Sequence, residues 1–101
     1  MYTPLPRILT IKESPIHGLG IFTKHRIFGG HILGVTHILD FEFHDNLIRT
    51  PLGGFINHAD EPNCILFREG RKLFIKTKTV IQEGDEITLC YGKTKQLMSL
   101  P

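Results

Sequence analysis

A chain of 101 residues with a formal net charge of +2 holds one domain and lacks the large basic surplus of a dedicated nucleic-acid binder. Folding at this size buries only about 60–65% of the surface that the unfolded chain exposes, so the core is small. An apolar fraction of 41% beside 22% charge is that of a globular chain, and no run approaches the roughly 18 apolar residues of a membrane span. The start, MYTPLPRILTIKES, has neither the apolar stretch nor the cleavage site of a secretory signal. A cytoplasmic protein is therefore expected, with Cys64 and Cys90 as free thiols in a reducing compartment.

Helical periodicity is nearly absent. Short runs rich in Ile, Leu, Val, Phe and Thr recur about every ten residues between Gly, Pro, Asn and Asp, which is the pattern of a mainly β domain. In chain order, strands are predicted near 7–12, 20–25 and 32–38. The stretch from Leu39 to Thr50 is irregular, with room for a short helix. Further strands are predicted near 64–67, 72–76 and 86–89, and Arg68-Glu69-Gly70-Arg71 reads as a hairpin turn in which Gly70 takes positive φ. One internal echo appears. Ile27-Phe28-Gly29-Gly30 and Ile81-Gln82-Glu83-Gly84 each put an apolar anchor three residues ahead of a turn glycine. Five cations gather between Arg68 and Lys78, alternating with apolar residues as the solvated face of the hairpin would.

Taken singly, the motifs that could carry chemistry are weak. His17-Gly18-Leu19-Gly20 offers paired glycines whose backbone can approach a ligand, but such a pair also occurs at ordinary turns. Six histidines suggest metal, yet there is no Cys-x-x-Cys or His-x-x-x-His spacing, and Gly29-Gly30 interrupts the even spacing of His25, His31 and His37. No metal site is expected. The segment GGFINHADEPNC, residues 53–64, sets Asn57 and His58 directly before a proline-bearing turn, and leaves ligand platform, metal site and strand end all open. Gly84-Asp85-Glu86-Ile87-Thr88-Leu89-Cys90-Tyr91-Gly92 is an acidic turn leading into an alternating strand that ends on a tyrosine.

Their order is specific where each alone is not. SPIHGLGIFTKHRIFGGHILG, then GFINHADEPNC, then VIQEGDEITLCYG resembles the SET domain, a lysine methyltransferase fold that uses S-adenosyl-L-methionine. The likeness runs from about Ile8 to Gly92, and is nearest to the small stand-alone SET proteins of viruses and bacteria; for a viral protein the compartment would be the host cell. It implies one SET domain over 1–101, with a core of about 8–92 and a short tail, 93–101. The fold it implies is a β-clip of small curved sheets closed by a C-terminal pseudoknot. It further implies cofactor contacts from Gly18, Leu19, Gly20, Asn57 and His58, the last through main-chain atoms, and a catalytic role for Tyr91.

Three departures from the family pattern shape the expectations. Ala59 replaces a usual Ser, and Asp60 stands where chromatin-type members often have a zinc-ligating Cys; with no cysteine in 93–101, a post-SET zinc cap is not expected. The variable insert is short, about Leu39–Thr50, and its Asp40, Glu42 and Asp45 are the expected attraction for a lysine-containing protein substrate. The reading is an S-adenosyl-L-methionine-dependent protein-lysine N-methyltransferase, without direct nucleic-acid or membrane partners. The alternatives are a catalytically degenerate SET-fold binding or assembly module and, resting only on the Arg68–Lys78 cations, a basic nucleic-acid-binding β domain. A homodimer is expected, because a SET core without flanking domains exposes apolar surface that the apolar tail residues Leu97, Met98 and Leu100 could help to cover.

Overall fold

The computed structural model describes residues 5–39 and 47–90. Eight short strands and one helical turn lie among them, in the order β1 (Leu9–Glu13), β2 (Leu19–Thr23), β3 (Ile32–Leu39), β4 (Leu47–Arg49), α1 (Pro51–Gly54), β5 (Asn57–His58), β6 (Cys64–Glu69), β7 (Lys72–Thr77) and β8 (Thr88–Leu89). They form three small sheets: β1-β2, the antiparallel β4-β3-β7-β6, and the pair β5-β8. The predicted strands are all present, with ends shifted by a residue or two. Two differences are larger. The stretch read as irregular ends in β4, and the helical turn follows it, where Thr50 caps Gly53 N–H at 3.2 Å and Pro51 opens the turn. The last strand is confined to Thr88–Leu89, with Glu86 joined to Phe22 only by an isolated bridge.

Period-two alternation places the core. In β7 Leu73, Ile75 and Thr77 turn inward, and in β6 Cys64 and Leu66 do the same. One cluster gathers Leu9, Ile21, Ile27, Leu33, Leu52, Ile56, Cys64, Leu66, Ile75, Ile81, Ile87 and Leu89 from all three sheets and the turns between them. Each fully buried aliphatic side chain of this kind contributes about 1.5–3 kcal/mol. The hairpin turn is as expected: Glu69 faces Lys72 across a two-residue loop, and Gly70 has φ of +62°.

The echoed turns prove to be partners. Ile27 and Ile81 exchange both backbone hydrogen bonds, at 2.8 Å each, and each turn then docks on the strand that leads into the other. Gly30 N–H donates to the Thr77 carbonyl at 2.7 Å, and Gly84 N–H to the Thr23 carbonyl at 2.8 Å. The echo thus extends to Thr-Lys-x-x-Ile-x-x-Gly at 23–30 and 77–84, with both threonines buried. The reciprocal clasp carries the chain from the large sheet to the closing segment 86–90.

Candidate active site

The closing segment is held by side chains more than by its own ladder. β5 and β8 pair in parallel over two residues, Asn57 with Thr88 and His58 with Leu89, and Ala59 N–H donates to the Leu89 carbonyl at 3.0 Å. Two residues cannot fix such a pair alone. Asn63, the residue after Pro62, completes it: its Nδ2 donates to the Glu86 carbonyl at 2.7 Å, and its Oδ1 accepts from Thr88 N–H at 2.9 Å. Thr88 Oγ1 in turn accepts from Asn63 N–H at 3.1 Å. The segment leading to Tyr91 is thereby fastened beside the Asn57-His58 strand.

Asn57 ties this knot to the glycine loop. Its buried Nδ2 lies 3.0 Å from the His17 carbonyl, 3.1 Å from the Leu19 carbonyl and 2.8 Å from Glu86 Oε2, all acceptors, which settles the orientation of the amide. Ser14 Oγ sits 2.7 and 2.9 Å from the two oxygens of the same carboxylate. Gly20 is required by close approach: a Cβ there would collide with the Glu86 carboxylate and reach within 3.0 Å of Asn57 Nδ2. At Gly18, where φ is +46°, the space beside the backbone is open, and Ile16 and Leu19 stand about half exposed at the rim.

The structure therefore brings together Gly18, Leu19, Gly20 and Asn57 from distant parts of the sequence, with His58 next along β5. The His58 ring turns away to Asp60, with Nε2 3.1 Å from Oδ1, while its backbone stays in the pair with Leu89. Tyr91, Asp40, Glu42 and Asp45 lie outside the described residues, as does the tail. Three residues of the site were not singled out from sequence: Ser14, Glu86 and Asn63. All three stand inside the quoted motifs, but their partners are 23–72 positions away, beyond any local pattern.

The remaining titratable candidates separate cleanly. His25 and His31 are exposed whereas His37 is buried, so the evenly spaced histidines share no face. Among the described residues no group of three or more His, Cys, Asp or Glu side chains could hold a metal ion. Both cysteines are free. Burial pushes the Cys64 thiol up to about 12, which makes it a wall of the core rather than a nucleophile. A cavity of about 220 Å³ opens between Pro62, Leu66 and Leu89, with both cysteines in its lining; it shares none of the glycine-loop residues.

A family model described as SET domain matches residues 36–92, more than half of the chain. The chain belongs to the SET domain family. Over 66 residues this SET domain is 35% identical to the histone-lysine N-methyltransferase set-2 of Caenorhabditis elegans, covering 58% of this chain but only 4% of that protein. The chain thus spans a small part of that relative's length. A crystal structure of a candidate histone methyltransferase of Plasmodium falciparum matches with a TM-score of 0.68 at 24% identity, covering 87% of this chain and 96% of that one. At that identity the likeness concerns the fold. The mainly β SET architecture, with its closing segment paired beside the Asn-His strand, is the fold expected from the motifs. No helix among the described residues is long and apolar enough to cross a membrane.

Proposed function

We propose that this SET domain is an S-adenosyl-L-methionine-dependent protein-lysine N-methyltransferase. The observation that carries the reading is the convergence on Asn57: one side chain joins the glycine loop, the Asn-His strand and the closing segment that runs into Tyr91. The chemistry of the cluster fits a cationic, zwitterionic cofactor. Glu86 receives hydrogen bonds from the neutral donors Ser14 and Asn57 and makes no ion pair among the described residues, so a positive charge beside it is favoured. With Nδ2 committed to protein acceptors, Asn57 Oδ1 is the atom left to receive a donor from the cofactor. Main-chain atoms of Gly18, Leu19, Gly20 and His58 complete the cradle.

When bound, S-adenosyl-L-methionine supplies a methyl group on positively charged sulfur. The work of this chain is positioning, which can account for much of such a barrier when the reacting atoms are held in line. Tyr91 is proposed to orient the lysine amine through its hydroxyl, and an apolar approach favours the neutral amine by penalising the ammonium. Asp40, Glu42 and Asp45 are proposed to draw the lysine-bearing segment of a protein substrate. The relatives' histone-methylating names support a protein substrate without naming the one used.

Transfer of tritium from labelled S-adenosyl-L-methionine to a panel of lysine peptides, alongside calorimetric binding of the cofactor, tests the reading. Binding with transfer is expected, and binding without transfer would favour the degenerate module. Tyr91→Phe should lower turnover by about 100-fold or more while leaving cofactor affinity nearly unchanged, because the hydroxyl acts mainly in the transition state. Activity within about two-fold of the parent would remove Tyr91 from the mechanism.

A further inference from the structure

The alternation that sends Leu73 and Ile75 inward turns Lys72, Phe74 and Lys76 of β7 outward, beside Ile65 and Phe67 of β6. Register makes this a continuous face. Lys76 lies between Ile32 and Ile65, and Phe74 between Val35 and Phe67. The two phenyl rings stack with centroids 5.3 Å apart, and Lys76 Nζ lies 5.4 Å from the Phe67 centroid.

The first echoed turn adjoins the end of β7. Thr77 Oγ1 donates to the Phe28 carbonyl at 2.6 Å, and the Gly29 backbone lies against Thr79. Phe28 is 67% exposed, with the Arg26 guanidinium 5.1 Å above its ring. Neither 14–39 nor 70–82 contains an Asp or Glu; the carboxylates nearby are Glu69, at the far corner opposite Lys72, and Asp60, which shares a cavity lining with Lys78. Arg26, Lys72, Lys76 and Lys78 make no ion pair among the described residues.

From this we infer that the face formed by Arg26, Phe28, Lys72, Phe74, Lys76 and Lys78 binds single-stranded nucleic acid. Cations in excess of carboxylates create a positive potential that follows a phosphate backbone, while the exposed Phe28 ring offers stacking that tolerates any base. A second copy of the chain is disfavoured, since two such faces would bring like charges together. Sequence reading took the hairpin cations as a solvated face because nothing local reveals that Arg26 and Phe28 fold next to them.

Fluorescence anisotropy of a labelled oligothymidylate of about 16 nucleotides tests the inference on the full chain without cofactor, so its outcome is independent of methyl transfer. Four phosphate contacts at roughly −0.7 each give a slope of about −2.8 in log affinity against log salt between ~50 and ~200 mM. The triple variant Lys72→Gln, Lys76→Gln, Lys78→Gln should reduce the slope to about −0.7, whereas Arg7→Gln with Lys12→Gln should leave it unchanged. Phe28→Ser should weaken binding by about 5-fold or more at every salt without altering the slope. Lack of binding at ~50 mM salt, or equal losses in the triple variant and the control pair, would overturn it. So would displacement by polyglutamate at equal charge with Phe28→Ser neutral, which would point to an acidic protein instead.

Discussion

The four-stranded sheet and the knot around β5 and β8 are held by different means. β6 and β7 pair over six residues and β3 and β7 over five, so backbone hydrogen bonds and the buried alternate side chains behind them secure the sheet many times over. The knot has two ladder pairs and relies on two asparagines, a glutamate, a serine and a threonine. A ladder spreads its energy across equivalent bonds, whereas a side-chain network concentrates it in members whose loss strands buried partners. The sheet should therefore tolerate single changes that the knot does not, and the proposed active site lies on the intolerant side.

The sharpest break is at Asn63. Asn63→Ala removes the three bonds of its amide and leaves the Thr88 N–H and the Glu86 carbonyl without their partner. At about 1–3 kcal/mol for each of the two stranded groups, the expected loss is about 2–6 kcal/mol, read from the urea midpoint. A loss under about 1 kcal/mol would mean that the knot, like the sheet, is secured by backbone pairing. Next in size is Asn57→Ala, expected to weaken S-adenosyl-L-methionine by about 1–3 kcal/mol in calorimetry. Unchanged affinity in a folded variant would make the Asn-His strand a purely structural element.

The same division decides what could be read in advance. Strands β1, β2, β3, β6 and β7 announce themselves through alternation of Ile, Leu and Phe with polar residues, and Gly70 announces the hairpin between the last two. β4, β5 and β8 are two or three residues long, too short to display a period; β8 lies within the alternating segment predicted at 86–89, whereas β4 and β5 do not read as strands. Within the site, Gly18, Gly20 and Asn57 are reached through the order of the three motifs and its likeness to the SET family, since each motif alone also fits an ordinary turn or strand end. Ser14 is not, since a serine before a proline is ordinary turn chemistry, and its bond to Glu86 spans 72 positions. The partnership of the echoed turns was half visible: the Ile-x-x-Gly pattern was there, but that each grips the other's strand is a fact of three dimensions.

One residue inside the sheet behaves as knot residues do. His37 is buried in β3, with Nδ1 2.8 Å from Thr36 Oγ1 and Arg49 opposite it on β4. Burial first, and then the Arg49 charge, hold its pKa below the usual 6.5. The unfolded chain then binds the proton more readily than the fold, so stability is complete above about pH 6.5 and declines as pH falls from there through the folded value. The decline cannot exceed one proton's worth, about 1.4 kcal/mol per pH unit. Urea midpoints at a series of pH values for the parent and His37→Gln measure it, and an identical profile in the two would remove His37 as its source.

The smallest effect is expected in the turn that joins two strands of the sheet. Gly70 has φ of +62° in the β6-β7 turn, and nothing lies within 4 Å of where a Cβ would stand. Gly70→Ala therefore meets backbone strain of about 1–2 kcal/mol but no clash, and part of that is offset because alanine restricts the unfolded chain. A net loss of about 1 kcal/mol is expected, and Gly70→Asn should lose less, since asparagine tolerates the left-handed region. Cofactor affinity should not move in either variant, because the Asn57 side chain bonds to His17, Leu19 and Glu86 and not to the turn at Gly70. A loss above about 3 kcal/mol, or a change in affinity, would show that the sheet is as dependent on single residues as the knot and would dissolve the contrast between them.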